Sequence, residues 1–184
     1  MKKLLIVGIV AALVIGDLAA PALADIRLKG GWFMPSEKVT GDYEGSFPAD
    51  GLFFGAEMTT MLPGGIIGIG VGAEYFQSNQ ALEQAPLPAE SLDVSTRIIP
   101  VTATAYIYPS AGLYVGGGIG YYLVNVTFEG EPQDKSGIGY HAVAGYQITD
   151  RIFLEGKYST CTISDWWWPG WNVGGISIAA GVSL

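Results

Sequence analysis

Apolar and non-apolar positions alternate with period two along most of the chain. In the run GIIGIGVGAEYF, Ile67, Ile69, Val71, Ala73 and Tyr75 share one parity, and Gly68, Gly70, Gly72 and Glu74 share the other. Successive strand side chains point to opposite faces, so this pattern predicts a strand with one apolar face and one small or polar face. The pattern recurs at Leu52 to Thr59, Val101 to Ile107, Leu113 to Leu123, Gly137 to Tyr146, Ile152 to Tyr158 and Gly175 to Leu184. Near the start of this region Ile26, Leu28 and Trp32 oppose Arg27, Lys29 and Gly31. The count is about eight strands, all antiparallel neighbours if the links are turns.

The links are predicted to alternate in length. Leu62-Pro63-Gly64, Pro109-Ser110-Ala111 and Thr149-Asp150 are built from turn-forming residues, whereas residues 35–50, 77–93, 129–135 and 164–172 read as longer connectors. Short turns at one end, long loops at the other and an even strand number are the marks of a transmembrane barrel. Charges and glycines share the non-apolar face, and eight strands leave an interior only wide enough for side chains. An apolar exterior around a polar, glycine-rich interior suits a lipid solvent, and closure removes the strand edges that hydrocarbon cannot satisfy.

The N-terminus reads as an export signal. Met1, Lys2 and Lys3 precede an apolar stretch from Leu4 to Ile15, and Ala22-Leu23-Ala24 offers small residues at −3 and −1. The expected division is therefore a signal peptide over residues 1–24 and one β-barrel domain over residues 25–184. Cleavage would take Lys2, Lys3 and Asp17, so nine bases become seven, 17 acids become 16, and the net charge moves from −8 to −9. An acidic chain is a poor partner for nucleic acid. A single cysteine, Cys161, excludes an intramolecular disulfide framework.

Several stretches resemble the outer-membrane protein β-barrel superfamily, whose small members include OmpA- and OmpX-type, porin-family-like barrels. They are KGGWFMP from Lys29, IPVTATAYIYP from Ile99, GLYVGGGIGYY from Gly112, YHAVAGYQITDRIFLEGKYS from Tyr140 and GGISIAAGVSL from Gly174. The resemblance implies an eight-stranded antiparallel up-and-down barrel in the outer membrane of a Gram-negative cell. It also implies contact with membrane lipid and lipopolysaccharide, insertion by the barrel-assembly machinery and a monomeric state. Members usually end in an aromatic residue; this chain ends in Leu184, on the lipid-facing parity.

Two groups of residues are candidates for function. Arg27, Lys29, Glu57, Glu74, Glu155 and Lys157 all have interior parity and sum to zero charge. They read either as a charged constriction or as mutually satisfied ions plugging the lumen, and pairing of buried charges favours the plug. Trp166, Trp167, Trp168 and Trp171 read as an interfacial aromatic loop, or else as a sticky surface for a partner. The long connectors hold eleven acids against Lys38 and Lys135. That balance reads as solvation or as cation-bridged contact with anionic lipopolysaccharide.

Signals for chemistry are weak. His141, the single histidine, has interior parity, and the residue two along is Val143 rather than the serine of lipid-A deacylase barrels. The glycine runs lack the following helix of a nucleotide site, and Asn125-Val126-Thr127 matches a glycosylation pattern only formally. No catalytic, cofactor-binding or metal-binding residues are expected. The favoured function is structural or surface-interacting with a plugged lumen. Its alternatives are a narrow porin-like channel for ions or small solutes, a lipid-modifying enzyme and a periplasmic carrier.

Overall fold

The computed structural model describes residues 24–36, 43–44, 49–84, 91–128, 130–163 and 171–184. Residues 1–23 of the proposed signal peptide, and Trp166, Trp167 and Trp168, lie outside these residues. Eight long strands make the barrel: β1 (Ala24–Pro35), β2 (Gly51–Met61), β3 (Ile67–Gln84), β4 (Ser91–Ser110), β5 (Leu113–Phe128), β6 (Glu131–Gln147), β7 (Ile152–Thr160) and β8 (Gly175–Ser183). Each pairs antiparallel with its sequence neighbours, and β1 pairs with β8 to close the sheet. The closing register sets Arg27 opposite Ser183 and Pro35 opposite Gly175.

The tight turns form within two residues of where turn chemistry predicts them, the β4–β5 turn falling on Ala111-Gly112 because Pro109 and Ser110 end β4. Gly64 and Gly65 take positive φ between β2 and β3, Gly112 does so between β4 and β5, and Thr149 Oγ1 accepts from the amides of Arg151 and Ile152 between β6 and β7. At the opposite end, two expected connectors are corrected. Residues 77–84 and 91–93 are strand, paired from Gln77 with Arg97 to Glu83 with Ser91. Residues 131–135 are also strand, with Phe128 opposite Glu131 and Gly130 at φ +86°. Short and long links therefore do not strictly alternate, because the β5–β6 link is a two-residue turn. Thr162–Ile163 and Trp171–Asn172 pair as a separate two-stranded ladder at this end.

Parity held throughout. Ile26, Leu28, Ile119, Ile138, Leu154 and Ile178 are exposed on the outer face, while Arg27, Tyr114, His141, Phe153 and Glu155 are buried in the lumen. On β5 the outward face is Leu113, Val115, Gly117, Ile119, Tyr121 and Leu123, giving way to Asn125 and Thr127. Ten steps at about 3.3 Å, tilted by roughly 40°, give an apolar band of roughly 25 Å, the height expected of a transmembrane barrel.

The band's outer edge carries an aromatic ring on the strands themselves. Trp32, Tyr75, Tyr121, Tyr140 and Tyr158 face outward just below polar positions such as Ser36, Gln77, Asn125, Ser136 and Thr160. Amphipathic rings are stable where one end is apolar and the other wet. Trp171, expected in an interfacial loop, is instead 8% exposed and belongs to the apolar cluster inside the barrel. Its pairing with Ile163 turns both side chains toward the lumen.

Candidate functional site

Among the described residues the lumen holds three layers of side chains, each set by interior-parity residues from neighbouring strands. At the tight-turn end, Arg27 of β1 lies in an aromatic cage. Its guanidinium carbon is 4.8 Å from the ring centroid of Tyr114, 5.3 Å from Phe153 and 5.7 Å from Tyr106. Nη2 donates to the Tyr108 hydroxyl at 3.3 Å, while Nε and Nη1 have no protein partner among the described residues. The cation is held mainly by ring faces, which attract it electrostatically.

Interior glycines make room for these rings. A Cβ built on Gly145 would lie 2.1 Å from Tyr114 Cζ, and one on Gly181 would lie 2.3 Å from Phe153 Cζ. Tyr114 is fully buried and donates from its hydroxyl to Glu155 Oε2 at 3.0 Å. The glycines on the non-apolar parity thus position a tyrosine that completes the next layer.

That middle layer is ionic. Lys29 Nζ lies 2.6 Å from Glu155 Oε1 and 2.9 Å from Glu74 Oε1, and Lys157 Nζ pairs with Glu74 Oε2. Four of the six expected ions form one chain across β1, β3 and β7. Glu57 stands apart: the Tyr106 hydroxyl donates to its Oε1 at 2.6 Å. Neither Arg27 nor Glu57 makes an ion pair among the described residues, so the six do not form a single cluster.

The outer layer is apolar, and parity reasoning did not anticipate it. Phe33, Phe53, Phe76, Val94, Ile98, Tyr122, Val124, Val126, Ile163, Trp171 and Val173 form one buried cluster with the Cys161 thiol. Phe33 and Phe76 meet edge to face with centroids 4.8 Å apart. A cavity of about 20 Å³ separates this layer from Glu74 and Lys157. It has room for about one water molecule.

His141 sits between β5 and β7, with Nε2 2.9 Å from Thr104 Oγ1. Ser159 is its register partner on β7, an adjacency that spacing along one strand could not reveal. The Ser159 hydroxyl donates instead to the Gly175 carbonyl at 3.4 Å. Among the described residues no cluster of histidine, cysteine and carboxylates could hold a metal ion.

No family model and no curated protein sequence matches the chain. Solved structures do match. The attachment invasion locus protein Ail of Yersinia pestis, solved with the heparin analogue sucrose octasulfate, superposes with a TM-score of 0.62 at 15% identity, covering 89% of this chain and 100% of Ail. Neisserial surface protein A gives a TM-score of 0.50 at 15% identity, covering 88% of this chain and 95% of that protein. Strand count, closure, the apolar band and these superpositions agree: the chain has the fold of the small eight-stranded outer-membrane β-barrels of the OmpA and OmpX type.

Proposed function

We propose that this chain is an exported, monomeric outer-membrane barrel with a structural or surface-interaction role and a lumen closed to solutes. The observation that carries the proposal is the filled interior. An ionic layer and an apolar layer are stacked inside one apolar band, with about 20 Å³ between them. A carrier would need its apolar face turned inward around a cavity. The mutually bonded ions and the engaged His141 and Ser159 side chains support a role without catalysis.

Surface contact is the favoured half of the role. Both named neighbours are described as attachment or surface proteins. In this chain β3, β4, β5 and β6 continue past the aromatic ring as polar strands that would stand in the lipopolysaccharide layer. Insertion would follow cleavage near Ala24 and use the barrel-assembly machinery.

Planar-bilayer recording of the refolded protein tests the closed lumen, with heat-modifiable gel migration as the check on barrel formation. The expected result is a heat-modifiable band and no steady conductance. A reproducible ion-selective conductance would replace this reading with a narrow pore.

A further inference from the structure

The outer surface of β4, β5 and β6 carries a groove of about 460 Å³ that none of the functions above uses. That volume lies within the range of small-ligand sites. Three register rows cross it: Arg97, Asn125 and Asp134; then Ile99, Leu123 and Ser136; then Val101, Tyr121 and Ile138. The rows run from polar to apolar, so the groove straddles the edge of the apolar band. Ile99, Val101, Tyr121 and Leu123 are outward-facing yet only partly exposed, as walls of a concave surface are.

The polar groups at its outer end are not equivalent. Asn125 donates to Asp134 Oδ1 at 2.7 Å, and the Tyr121 hydroxyl donates to Ser136 Oγ at 2.7 Å. Arg97 is exposed, 6.0 Å from the Tyr75 ring centroid, and makes no salt bridge among the described residues. Asp134 is already engaged by Asn125, so the Arg97 guanidinium is the charge that the groove's outer end offers to a ligand. A guanidinium presents a planar fork that matches a phosphate. Below it on β4 and β5, hydrocarbon would meet Ile99, Val101 and Leu123.

We propose that this groove holds one anionic, phosphate-bearing membrane lipid, its phosphate on Arg97 and an acyl chain along Ile99, Val101 and Leu123. The inference rests on the outer-membrane reading. The occupant is a lipid rather than free phosphate because the apolar half of the groove needs a chain to fill it.

The test is backbone amide NMR of the barrel in phosphatidylcholine nanodiscs with rising fractions of phosphatidylglycerol. Shifts at Arg97, Leu123, Asn125 and Ser136 should saturate well before phosphatidylglycerol becomes the majority lipid. Arg97→Gln should raise the half-saturating fraction roughly tenfold, as loss of a charge-assisted bond implies. Arg97→Lys should retain part of the effect, and Arg151→Gln at the opposite end should change nothing. Soluble glycerol phosphate should give no saturable shift. Proportional shifts spread around the whole rim, or saturation unaltered in Arg97→Gln, would overturn the site. Equal saturation by glycerol phosphate would overturn the lipid as occupant. Failure of the parent to enter nanodiscs would overturn the barrel reading instead, so the two failures are separate.

Discussion

In the middle of the lumen, β1, β3 and β7 meet through Lys29, Glu74, Glu155 and Lys157, whereas further out β1 to β4 meet through Phe33, Phe53, Phe76 and Ile98. Both layers fill the same cylinder, but they respond differently to error. Charges taken out of water must find particular partners, and a well-made ion network contributes little net stability over apolar packing. Apolar side chains need only volume and are the better seal against water. The ionic layer instead opposes misregistration, because a slip of one residue in β1, β3 or β7 would turn its charge into the membrane. If the lumen is closed as proposed, the comparison gives closure to the outer layer and register to the middle one.

The largest effect should come from opening the outer layer. Phe33→Ala with Phe76→Ala removes two rings in edge-to-face contact, each substitution costing roughly 3–5 kcal/mol, with the two not additive. Urea unfolding in vesicles should register the loss, and planar-bilayer recording should detect a conductance, where the proposed closed lumen gives none in the parent. A non-conducting double variant would move the seal to the ionic layer.

Lys29→Met is expected to come next. It leaves Glu155 without its ammonium partner and Glu74 with only Lys157, at a cost of roughly 3–5 kcal/mol. Urea resistance should fall with no conductance, since the phenylalanine layer stays intact. Conductance in this variant would erase the division of labour between the layers.

How much of this was readable in sequence follows from where the two faces differ. Within the membrane, one face must be apolar, so Ile67 to Tyr75 and Leu113 to Leu123 announced both strand and orientation. Beyond the aromatic ring that contrast ends. On β3 Gln77 and Asn79 face outward while Ser78 faces inward, and on β4 Ser95 and Arg97 face outward while Val94 and Thr96 face inward, so the apolar-outside parity is lost or reversed and the period no longer announces the strand. For the same reason residues 131–135 read as a loop, although Gly130 turns them back into a hairpin.

The candidate site was half legible. Parity put all six ions inside, but it says nothing about height along the barrel, so Arg27 and Glu57 could not be separated from the other four. The tryptophan-rich segment misled at Trp171, because an indole is equally suited to an interface or to a core that needs a large ring. The true ring of outward aromatics was spread over five strands, one residue each, and no local segment contained it.

A smaller effect should follow Gly145→Ala. The new methyl would displace the Tyr114 ring and loosen its bond to Glu155, an overpacking cost of roughly 1–3 kcal/mol. Gly117→Ala is the control: its Cβ would point outward, 3.4 Å from the nearest atom, the His141 carbonyl oxygen, and should leave urea resistance near that of the parent. Equal losses at the two glycines would mean that strand flexibility, and not ring packing, explains the interior glycines.

The smallest effect is expected where a charge lacks a charged partner. Glu57 and Glu74 are both interior carboxylates, so Glu→Gln at each makes the same chemical change in two settings. At Glu74 it removes the counter-charge of two ammonium groups, Lys29 and Lys157, and should cost roughly 3–5 kcal/mol. At Glu57 the direct partner is the neutral Tyr106 hydroxyl, which a glutamine carbonyl can still accept from. The variant trades a charge-assisted bond for a neutral one, while a buried carboxylate no longer has to be desolvated. The expected outcome is a loss of no more than about 1 kcal/mol. Urea midpoints of the two variants in the same vesicles decide the matter. If Glu57→Gln falls as far as Glu74→Gln, Arg27 depends on Glu57 across the lumen, and the ionic layer has six members that stand or fall together.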